Sequence, residues 1–365
     1  MSRYILCFLL LISAAVPPCR AEENVFSQVD GSLPMRFPES HGAHPDYSTE
    51  WWYFVGHLDG AQDRTYGFEL TFFRIGLDPK TQSRSRWRHH SLYLTHFALT
   101  DDHQQRFFHD ERTSRGVFDQ AGAHEGRLEV WNGPWKAVLN GEVLHLAAES
   151  RDFAVDLRLS STKPAVLHGR SGLSQKGPGP GQASYYSSFT RLQGSGTIRV
   201  EGELIPLQKA QAWMDHEVTS AGLPDNIEGW DWFAIQLENG EEFMLYQLRT
   251  KAGKKDLYSK GSFIQKDGTV ISLKHDDYTI EPLGTWKSPN SGTVYPSGWK
   301  ILVKKTGHEF EITPTVRAQE LLTQKSTGVN YWEGRCKVAG SRAGQPVTGS
   351  AYAELTGYDK ALTYS

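Results

Sequence analysis

Apolar and polar positions alternate along Tyr66-Gly67-Phe68-Glu69-Leu70-Thr71-Phe72 and again along Phe153-Ala154-Val155-Asp156-Leu157-Arg158-Leu159. A period of two puts every second side chain on one face of a pleated strand, so each segment is expected to bury one face of a sheet. Asp59-Gly60, Asn140-Gly141, Asn239-Gly240 and Asp267-Gly268 each sit between two short apolar runs. Such dipeptides favour the tight turns of antiparallel hairpins. Capped helical patterns are scarce, and the best candidate, Thr-Val-Arg-Ala-Gln-Glu-Leu-Leu-Thr-Gln at 315–324, fits a strand equally well. Many short strands with little helix predict an all-β fold of sandwich or barrel type.

A repeat sets the expected number of domains. Trp51, Tyr53, Phe54 and Leu58 before Asp59-Gly60 are echoed by Trp230, Trp232, Phe233 and Leu237 before Asn239-Gly240. The spacing is half the chain, which points to duplication of one antiparallel β unit. A chain of 365 residues is also longer than one core usually organises. Between the halves, 163–182 contains Lys-Gly-Pro-Gly-Pro-Gly and almost no apolar periodicity, so a long loop is expected there. Tyr185-Tyr186-Ser187, a turn at Gly194-Ser195-Gly196 and Thr197 to Val200 then read as a hairpin returning to the first unit. The expected division is an export signal at 1–21, one domain at 22–207 and a second at 208–365.

The first residues carry Arg3, an apolar stretch from Tyr4 to Val16, and Cys19-Arg20-Ala21, the pattern of a cleaved secretory signal. The mature chain is expected to begin at Glu22 and to be periplasmic. Val16-Pro17-Pro18 before Cys19 lacks the small-residue run of a lipid-attachment site, so a lipoprotein is not expected. Without Cys7 and Cys19, Cys336 stands alone and no internal disulfide can form. No segment of the mature chain is apolar over the roughly 20 residues a membrane-spanning helix needs.

Lys and Arg total 39 against 42 Asp and Glu, with neither sign clustered, which argues against a nucleic-acid partner. The chain is rich in rings, with 11 Trp, 15 Tyr and 17 Phe beside 4 Met. Histidines are frequent, notably His41, His44, His89, His90, His96, His103 and His109. Their spacings match no familiar zinc pattern, so no metal is expected, and no motif implies a cofactor. No Gly-x-Ser-x-Gly elbow for serine hydrolysis occurs.

Three constellations carry candidate chemistry. In Glu50-Trp51-Trp52-Tyr53-Phe54, four consecutive rings must occupy both faces of a strand, and Glu50 at its mouth needs a partner or a task. In Trp213-Met214-Asp215-His216-Glu217, followed by Trp230-Asp231-Trp232 and Tyr246, carboxyl groups set against rings lose hydration, which raises their pKa toward neutrality. The structural alternative is an ion-pair belt with Asp215 or Glu217 held by Arg191 or Arg249. In Tyr331-Trp332-Glu333-Gly334 and the run Gly349 to Tyr358, rings alternate with small residues as in the closing strand of a barrel.

These motifs resemble the family that joins carotenoid 1,2-hydratase (hydroxyneurosporene synthase) with the AttH proteins. The resemblance covers nearly the whole mature chain. It rests on His44-Pro45 through Tyr53, Lys176-Gly177-Pro178 with Tyr185-Tyr186-Ser187, Ala212 to Glu217, Gly229 to Trp232, Tyr331 to Gly334, and Glu354 to Tyr358. It implies two tandem lipocalin-like β-barrel domains with a ligand site in or between them, nearest to the exported AttH branch. Kievitone hydratase and certain fungal cyclisation enzymes look like more distant relatives. Asp215 and His216 fall on the motif that carries the proposed acid chemistry of the hydratases, with Trp230 and Tyr246 on neighbouring strands.

Two functions fit. A lyase of the hydratase type would protonate an isolated alkene from Asp215, with His216 orienting the acid or the water, Glu217 beside them, and Trp213, Trp230 and Trp232 steadying the cation through their ring faces. A non-catalytic carrier would hold the same isoprenoid- or lipid-like molecule, with Glu50, Trp51, Tyr53, Tyr186, Tyr246 and Tyr331 completing the binding set, and would pass it to a membrane export complex. Glycan binding by exposed Trp is a third class.

Overall fold

The computed structural model describes residues 26–77 and 90–360. The expected export signal, with Cys7 and Cys19, lies outside the described residues. Within them the helices are single 3-10 turns at Glu39–His41 and His275–Asp277, and the rest of the regular structure is strand. The helical candidate at 315–324 contributes only the short strand Glu320–Leu322.

Two large sheets carry the fold. In the first, β1 (Thr49–Asp59), β2 (Thr65–Gly76), β3 (Ala183–Val200) and β4 (Lys209–Thr219) lie in the order β2-β1-β4-β3. Ser91–Asp101 and Arg106–Arg115 continue beyond β2, and five strands from Phe153–Ser161 back to Ala121–Ala123 continue beyond β3, curling the sheet into a nearly closed barrel. In the second, β5 (Ile227–Leu237), β6 (Glu242–Thr250), β7 (Asn330–Arg342) and β8 (Gln345–Leu355) lie in the order β6-β5-β8-β7. The same central order thus occurs twice, antiparallel in both, and the repeated Trp-x-Trp/Tyr-Phe segments are the equivalent strands β1 and β5.

All four turn dipeptides lie at hairpin turns, and Gly240 between β5 and β6 takes the left-handed backbone, φ +87°, that the tight turn requires. Phe153–Ser161 buries alternate residues as expected. Residues 66–72 instead bury both faces. Phe68, Leu70 and Phe72 join Trp52, Phe54 and Leu58 inside the first barrel, whereas Tyr53 and Val55 face outward against Trp232, Ala234, Met244 and Tyr352 of the second. A separate core with Phe233, Ile235, Leu237, Trp299 and Trp332 fills the second barrel. The four-ring run therefore supplies two different cores from one strand.

Gly194-Ser195-Gly196 is not a turn, because β3 runs unbroken from Ala183 to Val200. A Cβ at Gly194 or Gly196 would stand 1.9 or 2.0 Å from the carbonyl oxygen of Arg158 or Asp156, so these glycines allow a close backbone crossing. The boundary expected after residue 207 lies one strand before the change of sheet. β4 pairs along its full length with β1, and the second sheet begins at Ile227. Pro206 marks the end of a strand and carries no information about which sheet the next strand joins.

The segment 163–182 is mostly loop, but it works as a clamp between the barrels. Lys163 Nζ lies 2.6 Å from Glu242 Oε2 of the second barrel and donates to the carbonyls of Gly240 and Gln265. Arg191 of β3 reaches the other oxygen of the same carboxylate.

Candidate functional site

The pleat of β4 sorts its side chains. Trp213, Asp215 and Glu217 face the second barrel, while Ala212 and Met214 point into the first. Asp215 is 4% exposed. Its carboxylate accepts from the Tyr186 and Ser188 hydroxyls and from Trp213 Nε1 at 2.6 Å, and Trp232 Nε1 of the second barrel donates to Tyr186 Oη at 2.9 Å. Burial pushes the acid up to about 7 against the pull of those three donors. Every partner is neutral, so the ionised form has hydrogen bonds but no counter-cation.

Glu217 is treated differently. It accepts from the Ser184 hydroxyl and lies 3.3 Å from Lys176 Nζ. That ammonium sits 4.0 Å from the Tyr246 ring centroid and 5.0 Å from that of Tyr186. Burial alone would lower the amine, but Glu217 and Tyr246 outweigh it and the net shift is upward. His168 bridges the barrels through Ser188 Oγ at 2.7 Å and Ser262 Oγ at 2.8 Å, and burial, reinforced by Lys176, holds it neutral with a pKa of about 3.

The interface carries more acids, two on the second barrel and one on the first. Trp230 Nε1 donates to Glu354 Oε2 at 3.0 Å, and Tyr53 Oη donates to Glu333 Oε1 at 2.6 Å. Among the described residues, Glu69 of β2 accepts only from the Thr71 hydroxyl. Burial raises Glu354 to about 7, Glu69 to about 8, and Glu333 well above the usual carboxylate range. One oxygen each of Glu69 and Glu333 is buried without a partner. No ion pair reaches these three acids among the described residues. Tyr53 and Trp232 meet edge to face at 5.2 Å between the two groups of acids, while half-buried Trp51, Leu223, Trp230 and Tyr258 form the rim.

Of the residues singled out in the sequence, Asp215, Glu217, Tyr53, Tyr186, Trp213, Trp230, Trp232 and Tyr246 come together here, with Trp51 at the edge. His216 and Glu50 do not. One residue along from Asp215, His216 points to the other face, stacks on Trp52 at 4.8 Å and lies 3.2 Å from Glu50 Oε2. It therefore cannot orient Asp215. Glu50 also accepts from Arg74 and from the backbone N–H of His44, and His44, Glu50 and His216 could in principle hold a metal ion. The Arg74 guanidinium already pairs with that carboxylate, and among the described residues His216 Nδ1 is buried without a partner. Tyr331 lies away from Asp215, with its hydroxyl 2.7 Å from His96 Nδ1. Arg191 and Arg249 pair with Glu242 and Asp231, leaving Asp215 and Glu217 without either arginine.

Lys176, His168, Ser188, Glu69, Glu333 and Glu354 were not singled out as site residues from sequence. Lys176, Glu333 and Glu354 stood within the motifs of the family resemblance, the one signal available for them.

Two antiparallel barrels meeting over buried acids and rings make a lipocalin-like all-β fold. The AttH-like family profile matches residues 28–358, and the chain belongs to that family. An AttH protein from Nitrosomonas europaea is similar at 34% identity over 91% of this chain and 99% of that one, with a TM-score of 0.81. Kievitone hydratase from Nectria haematococca shares the fold at 14% identity, covering 93% and 97%, with a TM-score of 0.71. The bicarbonate-binding protein CmpA of Synechococcus elongatus is 23% identical over 167 residues, 44% of this chain. The chain covers 33% of the length of that curated relative.

Proposed function

We propose that the interface between the barrels binds an apolar, isoprenoid- or lipid-like small molecule and hydrates an isolated C=C bond, with Asp215 as the general acid. The observation that carries this reading is a buried carboxyl group with a pKa of about 7, held only by neutral donors, against Trp213, Trp232 and Tyr186. Protonating an alkene needs an acid that still holds its proton near neutral pH and a surface that tolerates a cation. Burial supplies the first, and ring faces supply the second at about 0.5–2 kcal/mol each. A general acid of this kind contributes roughly 10²–10⁴ in rate. The likeness to kievitone hydratase supports the reaction type through the fold alone. The protein would act in the periplasm after export.

The competing reading is a periplasmic carrier that delivers the same molecule to a membrane export complex. It is favoured by the completeness of Asp215's hydrogen bonds, which a purely structural carboxylate would also show. Organic extraction of protein purified from its native compartment, followed by mass spectrometry, separates the two. A hydratase yields the water adduct from wild type and the intact alkene from Asp215→Asn. The same unaltered molecule from both proteins would leave the carrier reading standing and remove the hydratase.

A further inference from the structure

We propose that Glu354 is the base of the same reaction, taking the proton of the adding water, with Glu333 positioning that water beside it. This rests on the reading of Asp215 as the acid. It follows from the duplicated strand order together with the register of the two sheets.

In the first barrel Tyr53 lies opposite Asp215, and Asp215 opposite Ser188, across β1, β4 and β3. In the second barrel Trp232 lies opposite Glu354, and Glu354 opposite Glu333, across β5, β8 and β7. Tyr53 and Trp232 are equivalent positions of the repeat, and their rings touch. Asp215 and Glu354 are therefore the corresponding acids of the two halves, each beside one ring of the same aromatic pair. The contacts cross the interface in both directions, since Tyr53 bonds Glu333 while Trp232 bonds the tyrosine that holds Asp215.

Equivalent in place, the two acids differ in what holds them. Both oxygens of Asp215 are taken by donors. Glu354 receives one hydrogen bond, on Oε2 from Trp230, which leaves Oε1 free among the described residues. It also keeps partial exposure near the rim, where Asp215 has almost none. Directly across the β7–β8 pair, Glu333 is 0% exposed, and its Oε2 is buried with no partner. Opposed residues on adjacent strands have Cβ atoms about 4.5–5.5 Å apart, within reach of one water bridging two carboxyl groups. A buried oxygen without a partner costs about 1–3 kcal/mol, and a water seated there removes that cost.

The step balances. The Asp215 carboxyl gives its proton to one alkene carbon, and the π electrons become the new C–H bond, leaving the cation on the more substituted carbon beside the rings. The water oxygen donates a lone pair to that carbon, and its proton passes to the Glu354 carboxylate. The product is a tertiary alcohol. Proton return from Glu354 to Asp215 through solvent resets the pair.

The probe is the molecule extracted from Asp215→Asn protein, incubated in D2O with wild type, Asp215→Asn, Glu354→Gln and Glu354→Asp. Wild type should give the adduct with deuterium on carbon, and Asp215→Asn neither adduct nor deuterium. Glu354→Gln should exchange deuterium into the alkene, because the cation still forms and reverts, while adduct formation falls by about 100-fold or more. Glu354→Asp, which keeps a carboxylate, should recover part of the adduct and shows that loss in the Gln variant is not misfolding. Adduct formation by Glu354→Gln within threefold of wild type would overturn the base assignment and leave Asp215 untouched. Recovery of no alkene, or a wild type inert toward it, would overturn both.

Discussion

Replacing Glu69 by Gln asks whether the interface acids are neutral in the folded protein. Glu69 is fully buried, and among the described residues its one hydrogen bond comes from Thr71 and its second oxygen has no partner. Burial, opposed by that bond and reinforced by Glu354, lifts it from 4.5 to about 8. Between these values the unfolded chain has released the proton that the folded chain keeps, so the unfolded state binds fewer protons and stability falls as pH rises. The contribution is whole below about pH 4 and is lost as pH climbs through 8. A difference of about 3.5 in pKa is worth at most about 5 kcal/mol. Gln keeps the shape and carries no such penalty. In urea unfolding followed by tryptophan fluorescence, the variant and wild type should have the same midpoint near pH 4. At pH 8.5 the variant should be the more stable by about 3–5 kcal/mol with an unchanged slope. A variant less stable than wild type at pH 8.5 would mean that Glu69 is ionised and paired, and would refute the reasoning.

Glu50→Gln should behave in the opposite sense. Burial raises that carboxyl, but His216, His44 and Arg74 outweigh it and hold it well below the usual range. The stability it contributes is present above its unfolded pKa and disappears as acid protonates the folded form. The variant should lose about 3–5 kcal/mol at pH 7 by leaving Arg74 buried and unpaired, and its urea midpoint should fall less than that of wild type below pH 4. Glu242→Gln should destabilise by a similar amount, because Lys163 and Arg191 share that carboxylate. Calorimetry should then show the two barrels unfolding at separate temperatures where wild type shows one transition. Tyr53→Phe removes the donor to Glu333 and should cost about 1–3 kcal/mol near neutral pH, read from urea midpoints.

The local fold was legible because turn chemistry and the pleat act over a few residues. Asn-Gly and Asp-Gly pairs placed the hairpins, and alternation placed Phe153–Ser161. The aromatic repeat located β1 and β5, since both halves keep the same rings at the same spacing. What could not be read was which strands become neighbours across the interface. Tyr53 and Glu333 are 280 residues apart and meet only when the barrels dock. The equivalence of Asp215 and Glu354 escapes a search at constant spacing, because the connections between the central strands differ in length in the two halves. His216 shows the converse error: adjacency in sequence suggested a partnership with Asp215, and a strand sends neighbours to opposite faces. The interface acids were hidden for a further reason, since isolated Glu residues in β-rich sequence are usually solvated, and here the second barrel removes the solvent.

The central claim is that the ligand lies between the barrels, against Asp215 on one wall and Glu354 on the other. A crystal structure of Asp215→Asn protein, isolated from its native compartment with its small molecule retained, tests it most directly. Density is expected for an apolar molecule in contact with Tyr53, Tyr186, Trp213 and Trp232. Density enclosed by Phe54, Phe68 and Trp135 inside the first barrel, or an interface closed by direct ring packing while the molecule sits elsewhere, would contradict it.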